Sequence, residues 1–162
     1  MRKTNAMRAL DQRRIPYETH TFSDTIRSAD GVAATLGIPE AEVFKTLVVL
    51  SEARGTKPML VMLPASRELD LRRFARAVGE KSVRMASQRE AEQLTGLKVG
   101  GISALALLNT PFAVYLDASA TTLDMLYVSG GQRGLDLRLR VADLIAVTGA
   151  TVVETGCGTE TE

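Results

Sequence analysis

Apolar residues in this chain recur in two rhythms, one with the spacing of a helix face and one that alternates along a strand, with glycine, proline and capping residues between them. Thr4 precedes a short helix in which Met7 and Leu10 share a face, and Pro16 closes it. "YETHTF" (17–22) reads as a strand. Ser28 precedes "ADGVAATL", where Val32, Ala33 and Leu36 fall at helical spacing and Gly37 suits the left-handed residue after the helix. Strands are predicted at 44–50 and 59–64, joined by the polar link "SEARGTKP". Asp70 caps "LRRFARAV", whose stripe of Leu71, Phe74 and Val78 ends at Gly79. A strand at 82–86 leads to "SQREAEQLTG", in which Ser87 and Glu90 have capping-box spacing and Gly96 stops the helix.

From 97 onward the pattern is mostly strand: "LKVGGIS", "FAVYLDAS", "MLYVSGG" and "LDLRLRV", the last alternating Leu135, Leu137 and Leu139 with Asp136, Arg138 and Arg140. A helix over "ADLIAVTG" and an apolar "ATVVE" follow. Helices and strands are interspersed without a βαβ rhythm or an internal repeat, which predicts an α+β domain around one mixed or antiparallel sheet. One domain is expected over 1–155, with a flexible acidic tail at 156–162.

One position breaks the apolar pattern. In "EVFKTLVVL" (42–50), Lys45 interrupts a run that otherwise reads as a buried strand. An unpaired ammonium buried there is costly, so Lys45 either marks a solvated strand entrance or lines a cleft that uses its charge.

Composition narrows the chemistry. The formal net charge is only +1, so overall charge gives no argument for nucleic acid, and local patches matter instead. Two exist: Arg2, Lys3, Arg8, Arg13 and Arg14 on the first helix, and Arg72, Arg73 and Arg76 on the third, with Lys81 and Arg84 nearby. Each is also what an ordinary solvated helix face looks like. The single cysteine, Cys157, permits no internal disulfide or thiolate metal cluster. "MRKTNAMRALDQRR" has no apolar signal core, and no window approaches about 18 consecutive apolar residues, so a cytoplasmic protein without a membrane span is expected. The only histidine, His20, has no nucleophile paired with it by motif. The remaining candidates act by charge and hydrogen bonding: Lys45, the hydroxyls of Thr46, Ser103 and Ser129, the Asp136 carboxylate, and the N–H groups of Gly100–Gly101 and Gly130–Gly131. No metal or other cofactor is expected.

Three of these segments, "FKTLVV" (44–49), "VGGIS" (99–103) and "YVSGGQRGLDLRL" (127–139), resemble in order and spacing the signature segments of the YbaK/EbsC family of aminoacyl-tRNA editing proteins. The likeness spans nearly the whole chain. It implies an α+β domain with a curved mixed sheet flanked by helices, related to the insertion domain of bacterial prolyl-tRNA synthetases. It also implies cleavage, in trans, of the aminoacyl ester of a mischarged tRNA, without a metal. The family's essential lysine falls on Lys45 and its pocket residue on Thr46. The glycine loop falls on Gly100 and Gly101 with Ser103, the second loop on Ser129, Gly130, Gly131 and Asp136, and an aromatic pocket position on Phe22. "SGGQRGLD" is most similar to the YbaK branch, associated with Cys-tRNA(Pro), in which the substrate's own thiol attacks its ester. One departure stands out: where the family continues Gly-Gly-Ile-Ser-Pro-Leu-Gly, this chain has Ala104 and Ala106, and losing the proline is expected to loosen the loop or shift its carbonyls.

The expected partners are the acceptor end of a mischarged tRNA(Pro), held in part by Arg72, Arg73 and Arg76, and prolyl-tRNA synthetase, with no membrane and no DNA. Two alternatives stay open: a deacylase for Ala- or Ser-charged tRNA, and a non-catalytic protein that binds aminoacyl-tRNA or a synthetase.

Overall fold

A computed structural model describes residues 2–156; Cys157 and the rest of the predicted acidic tail lie outside the described residues. The order of elements is α1 (Asn5–Gln12), β1 (Glu18–Thr21), α2 (Ala29–Leu36), β2 (Phe44–Ser51), β3 (Met59–Pro64), α3 (Leu71–Val78) and β4 (Val83–Met85). There follow α4 (Gln88–Thr95), β5 (Ala113–Asp117), β6 (Met125–Ser129), β7 (Leu135–Arg140), α5 (Val141–Thr148) and β8 (Thr151–Val153). Short 3-10 turns occupy Glu40–Glu42, Ala104–Leu107 and Ala118–Thr122. No helix among the described residues is long and apolar enough to cross a membrane.

The helix boundaries follow from the predicted caps. Thr4, Ser28, Asp70 and Ser87 each accept a backbone N–H from the first turn of α1, α2, α3 and α4. Gly37, Gly79, Gly96 and Gly149 end helices in the left-handed conformation that a Cβ disfavours.

The α+β class is as expected, but the strands form two hydrogen-bonded sheets, not one. A three-stranded antiparallel sheet runs β1-β7-β6, and a five-stranded mixed sheet runs β4-β2-β3-β5-β8. A single parallel bridge, Val43 to Tyr127, joins them beside the start of β2. The split follows from the period-two pattern of β7: Leu135, Leu137 and Leu139 enter the main core, together with Phe44, Val48, Leu60 and Met62 from the larger sheet. The opposite face of the larger sheet packs Val49, Met59 and Val61 against Phe74 of α3.

Residues 97–103, expected as a strand, form a loop. Gly100 has φ +94°, and a Cβ on Gly101 would lie 2.8–2.9 Å from backbone atoms of Gln132 and Arg133. The two glycine loops therefore touch backbone to backbone, and Gly101 donates to the Lys98 carbonyl at 2.8 Å instead of to a ladder. Gly156, expected in the tail, is buried, and a Cβ there would fall 2.3 Å from the Glu68 carbonyl oxygen. Gly101→Ala is expected to cost roughly 1–3 kcal/mol in urea unfolding, because backbone rather than a flexible side chain must move aside; an unchanged midpoint would show that the loops do not meet.

Candidate active site

The larger sheet leaves part of the outer edge of β2 uncovered. β4 pairs only with residues 49–51 of β2, so beyond Val48, whose carbonyl accepts from Ala86 at 3.0 Å, the outer edge of β2 has no strand beside it until the Val43 bridge. A cleft of about 440 Å³ opens there. The start of α2, the loop at Val99–Gly100, the start of α4 and the ends of β6 and β7 complete its walls. Apolar surface from Phe44, Leu47, Val48, Ala91, Val99 and Ile102 forms much of the lining. By the alternation of an extended strand, the N–H and carbonyl of Thr46 point the same way as the Val48 carbonyl, into this opening.

Lys45 lines the cleft and is half-buried. Its Nζ donates to the Arg67 carbonyl at 2.6 Å, which leaves two ammonium protons for a ligand. Arg67 is itself held: its Nη1 donates to the Gly156 carbonyl at 3.1 Å and its Nε lies 3.8 Å from Asp117. Asp117 is fully buried and accepts from the Thr155 N–H (3.1 Å), the Thr155 hydroxyl (2.7 Å) and the Ser119 N–H (3.1 Å). Burial pushes its pKa up, but the hydrogen bonds from Ser119 and Thr155 outweigh that and hold it below the usual aspartate value. A buried anion and the last described residues thus brace the loop that seats Lys45.

Thr46 shares the cleft, and its Oγ1 is buried without a hydrogen-bond partner among the described residues. Asp136 enters from β7, flanked in register by His20 on β1 and Ser129 on β6. It is only 6% exposed, and no donor among the described residues bonds its carboxylate. Burial alone raises its pKa to about 7. A group so placed is satisfied by a cation or donor brought from outside. His20 turns to Glu18 (3.3 Å) and stands edge-on to Tyr127 at 5.1 Å between centroids.

The other predicted site residues divide. Gly100 and Ser129 line the cleft. Gly101 does not, and neither its N–H nor those of the second loop are offered to a ligand: Gly101 donates to Lys98, Gly130 to the Leu135 carbonyl (2.9 Å) and Gly131 to Ser129 Oγ (3.2 Å). Ser103 is 1% exposed and caps the Ala104–Leu107 turn by accepting from the Leu105 N–H, so its hydroxyl helps hold the loop beside Ala104, the position where the family has proline. Phe22 packs beside Val32, Val43 and Tyr127, outside the lining. Arg72, Arg73 and Arg76 are exposed on α3, away from the cleft. Arg84 is tied to Glu90 by both terminal guanidinium nitrogens (2.9 and 2.8 Å), so it adds little to that patch. The exposed rim contains residues that sequence reasoning passed over: Arg27, Ser28, Asp30, Met85 and Gln88. The Ser28 cap was legible, but its place in the cleft lining is tertiary.

Residues 23–147 match the aminoacyl-tRNA editing domain, and the chain belongs to that family. It is 35% identical over 154 residues, 94% of this chain and 92% of the relative, to a protein of Enterococcus faecalis named "Putative Cys-tRNA(Pro)/Cys-tRNA(Cys) deacylase EbsC". A 74-residue stretch, 46% of this chain, is 38% identical to 12% of a proline–tRNA ligase of Thermodesulfovibrio yellowstonii. Among solved structures it resembles "a putative trans-editing enzyme for prolyl tRNA synthetase", with a TM-score of 0.81, 27% identity and coverage of 98% of this chain and 100% of that one.

Because ionised Asp136 is penalised in the folded state, its stabilising contribution is complete below its unfolded pKa near 3.8 and is lost as pH rises through about 7. Asp136→Asn is therefore expected to be the more stable form near pH 8, by on the order of 4 kcal/mol at most, with the advantage gone by about pH 4. Thermal melts of both forms across that range check this; a variant no more stable than wild type near pH 8 contradicts it.

Proposed function

We propose that this protein is a freestanding deacylase that cleaves the aminoacyl ester of mischarged tRNA(Pro), with cysteine as the preferred amino acid. The observation that carries this reading is the pairing, in one cleft, of a braced cation with a buried carboxylate that has no partner among the described residues. An aminoacyl-adenosine end has the complementary charges. Its α-ammonium fits Asp136, and its developing oxyanion or phosphate fits Lys45. The Thr46 N–H on the open strand edge is the natural donor to the ester carbonyl, a role for which Gly101, Gly130 and Gly131 have no free N–H.

With cysteine as the amino acid, the protein need not supply a nucleophile. The substrate thiol loses its proton and attacks its own carbonyl carbon. A carbon–sulfur bond forms, the carbon–oxygen bond to the ribose breaks, and the departing ribose oxygen gains a proton. The chain's share is to hold the ammonium, neutralise charge with Lys45 and fix the geometry, the kind of positioning that turns a slow encounter into an intramolecular step. The relative named for Cys-tRNA(Pro) and Cys-tRNA(Cys) supports cysteine, and the stretch shared with a proline–tRNA ligase supports tRNA(Pro) and a working association with that synthetase in the cytoplasm. The exposed Arg72, Arg73 and Arg76 would meet tRNA phosphates beyond the cleft, as a salt-sensitive contact.

The test is a panel of Cys-, Ala- and Ser-tRNA(Pro) and Cys-tRNA(Cys) incubated with wild type and Lys45→Ala. Wild type is expected to deacylate Cys-tRNA(Pro) fastest, and Lys45→Ala to be slower by about 100-fold or more. Cleavage of no member by folded wild type would leave a binding protein, preference for Ala- or Ser-tRNA would move the specificity, and unimpaired Lys45→Ala would remove the lysine from the mechanism.

A further inference from the structure

Arg27 is an exposed residue of the cleft lining and so belongs to its rim, as do Met85 and Gln88. Its stem lies against Gly100, where an added Cβ would come within 3.1 Å of Arg27 Cβ and 3.3 Å of Cγ. Gly100 therefore serves two ends: it adopts φ +94°, and its missing side chain lets an arginine lie over the loop. Three other guanidinium groups, none of them in the cleft lining, are at least partly engaged. Arg84 grips Glu90, Arg133 Nε donates to the Val99 carbonyl at 2.7 Å, and Arg138 donates to Glu18 at 3.3 Å. Arg27 has neither an ion pair nor a hydrogen bond with any described residue. Its planar fork is the best-shaped donor at this rim for a tetrahedral oxyanion.

The interior of the same cleft fixes which way a ligand runs. Asp136, buried and without a donor among the described residues, takes the cationic end, so the nucleotide end faces the mouth. Asp30 also lies on the rim and opposes a second negative charge there, which makes direct hydrogen bonding by Arg27, more than the general potential, the source of any attraction.

We infer that Arg27 is the phosphate-binding residue of this cleft, donating to the phosphate on the 5′ side of the terminal adenosine whose aminoacyl group occupies the interior. The inference rests on the aminoacyl-nucleotide reading above and adds the second charged group by which such a ligand is held. It also narrows the role of Lys45, because with the phosphate on Arg27 the ammonium braced by Arg67 is left for charge at the ester.

Two stable probes test it by calorimetry: adenosine bearing cysteine through a 3′ amide, and the same compound with a 5′-phosphate. Wild type is expected to bind the phosphorylated probe about tenfold more tightly, the worth of one charge-assisted contact. Arg27→Gln keeps a stem over Gly100 and removes the charge. It is expected to bind both probes alike, at the wild-type affinity for the unphosphorylated one, with an unchanged melting midpoint. No phosphate advantage in wild type, an advantage that survives in Arg27→Gln, or an equal weakening toward both probes would each overturn the assignment. Binding of the unphosphorylated probe by wild type keeps the aminoacyl-nucleotide reading whatever becomes of Arg27; binding of neither probe removes both.

Discussion

The site depends on one hydrogen bond, from the Lys45 ammonium to the carbonyl of Arg67. A lysine carries four flexible carbons, and without an anchor its charge would be spread over many rotamers. The anchor is itself secured at a distance, since Arg67 is pinned by Asp117 and Gly156, and Asp117 by Thr155 and Ser119. These groups come from the end of β5 and from residues 155 and 156, remote in sequence from β2. A buried anion with a full set of donors is the kind of network that holds one arrangement against alternatives. It also explains why the chain runs on past β8 into a buried glycine.

Asp136 is the converse case. Its carboxylate is as buried as many core side chains but lacks the donors that Asp117 has. Two aspartates in one small fold thus show the two fates of a buried carboxylate: satisfied by the protein and held ionised, or left unsatisfied with its pKa raised. The unsatisfied one faces the cleft, beside the unsatisfied Thr46 hydroxyl. Polar groups left in that condition weaken the fold, and retaining them is consistent with a site whose partners arrive with the ligand.

Much of the framework was legible in the sequence, because the rules that set it are local. Thr4, Ser28, Asp70 and Ser87 marked helix starts, Gly37, Gly79 and Gly96 marked ends, and the leucines of β7 announced their buried face. Residues 97–103 misled because Leu97, Val99 and Ile102 look like strand residues, while the reason they cannot pair is the backbone of residues 132 and 133, far along the chain. Of the site, Lys45, Thr46, Gly100, Ser129 and Asp136 meet in the cleft, whereas Phe22, Gly101, Ser103, Gly130 and Gly131 shape its surroundings. Local pattern could not separate these groups, since a glycine needed for close packing and one facing a ligand look alike in sequence. Arg27 was passed over for the same reason: an exposed arginine before a helix acquires meaning only when the fold lays it on Gly100.

The most direct test of the central claim, a braced cation and an unpartnered carboxylate completed by an aminoacyl ligand, is proton release on binding. Calorimetry of a stable aminoacyl-adenosine amide with a free α-amino group, in buffers of different ionisation enthalpy near pH 6, measures it. Asp136 should give up its proton as the ammonium arrives, releasing close to one proton per ligand, and Asp136→Asn should release none. Tight binding by wild type without proton release, or the same release from Asp136→Asn, would contradict the account.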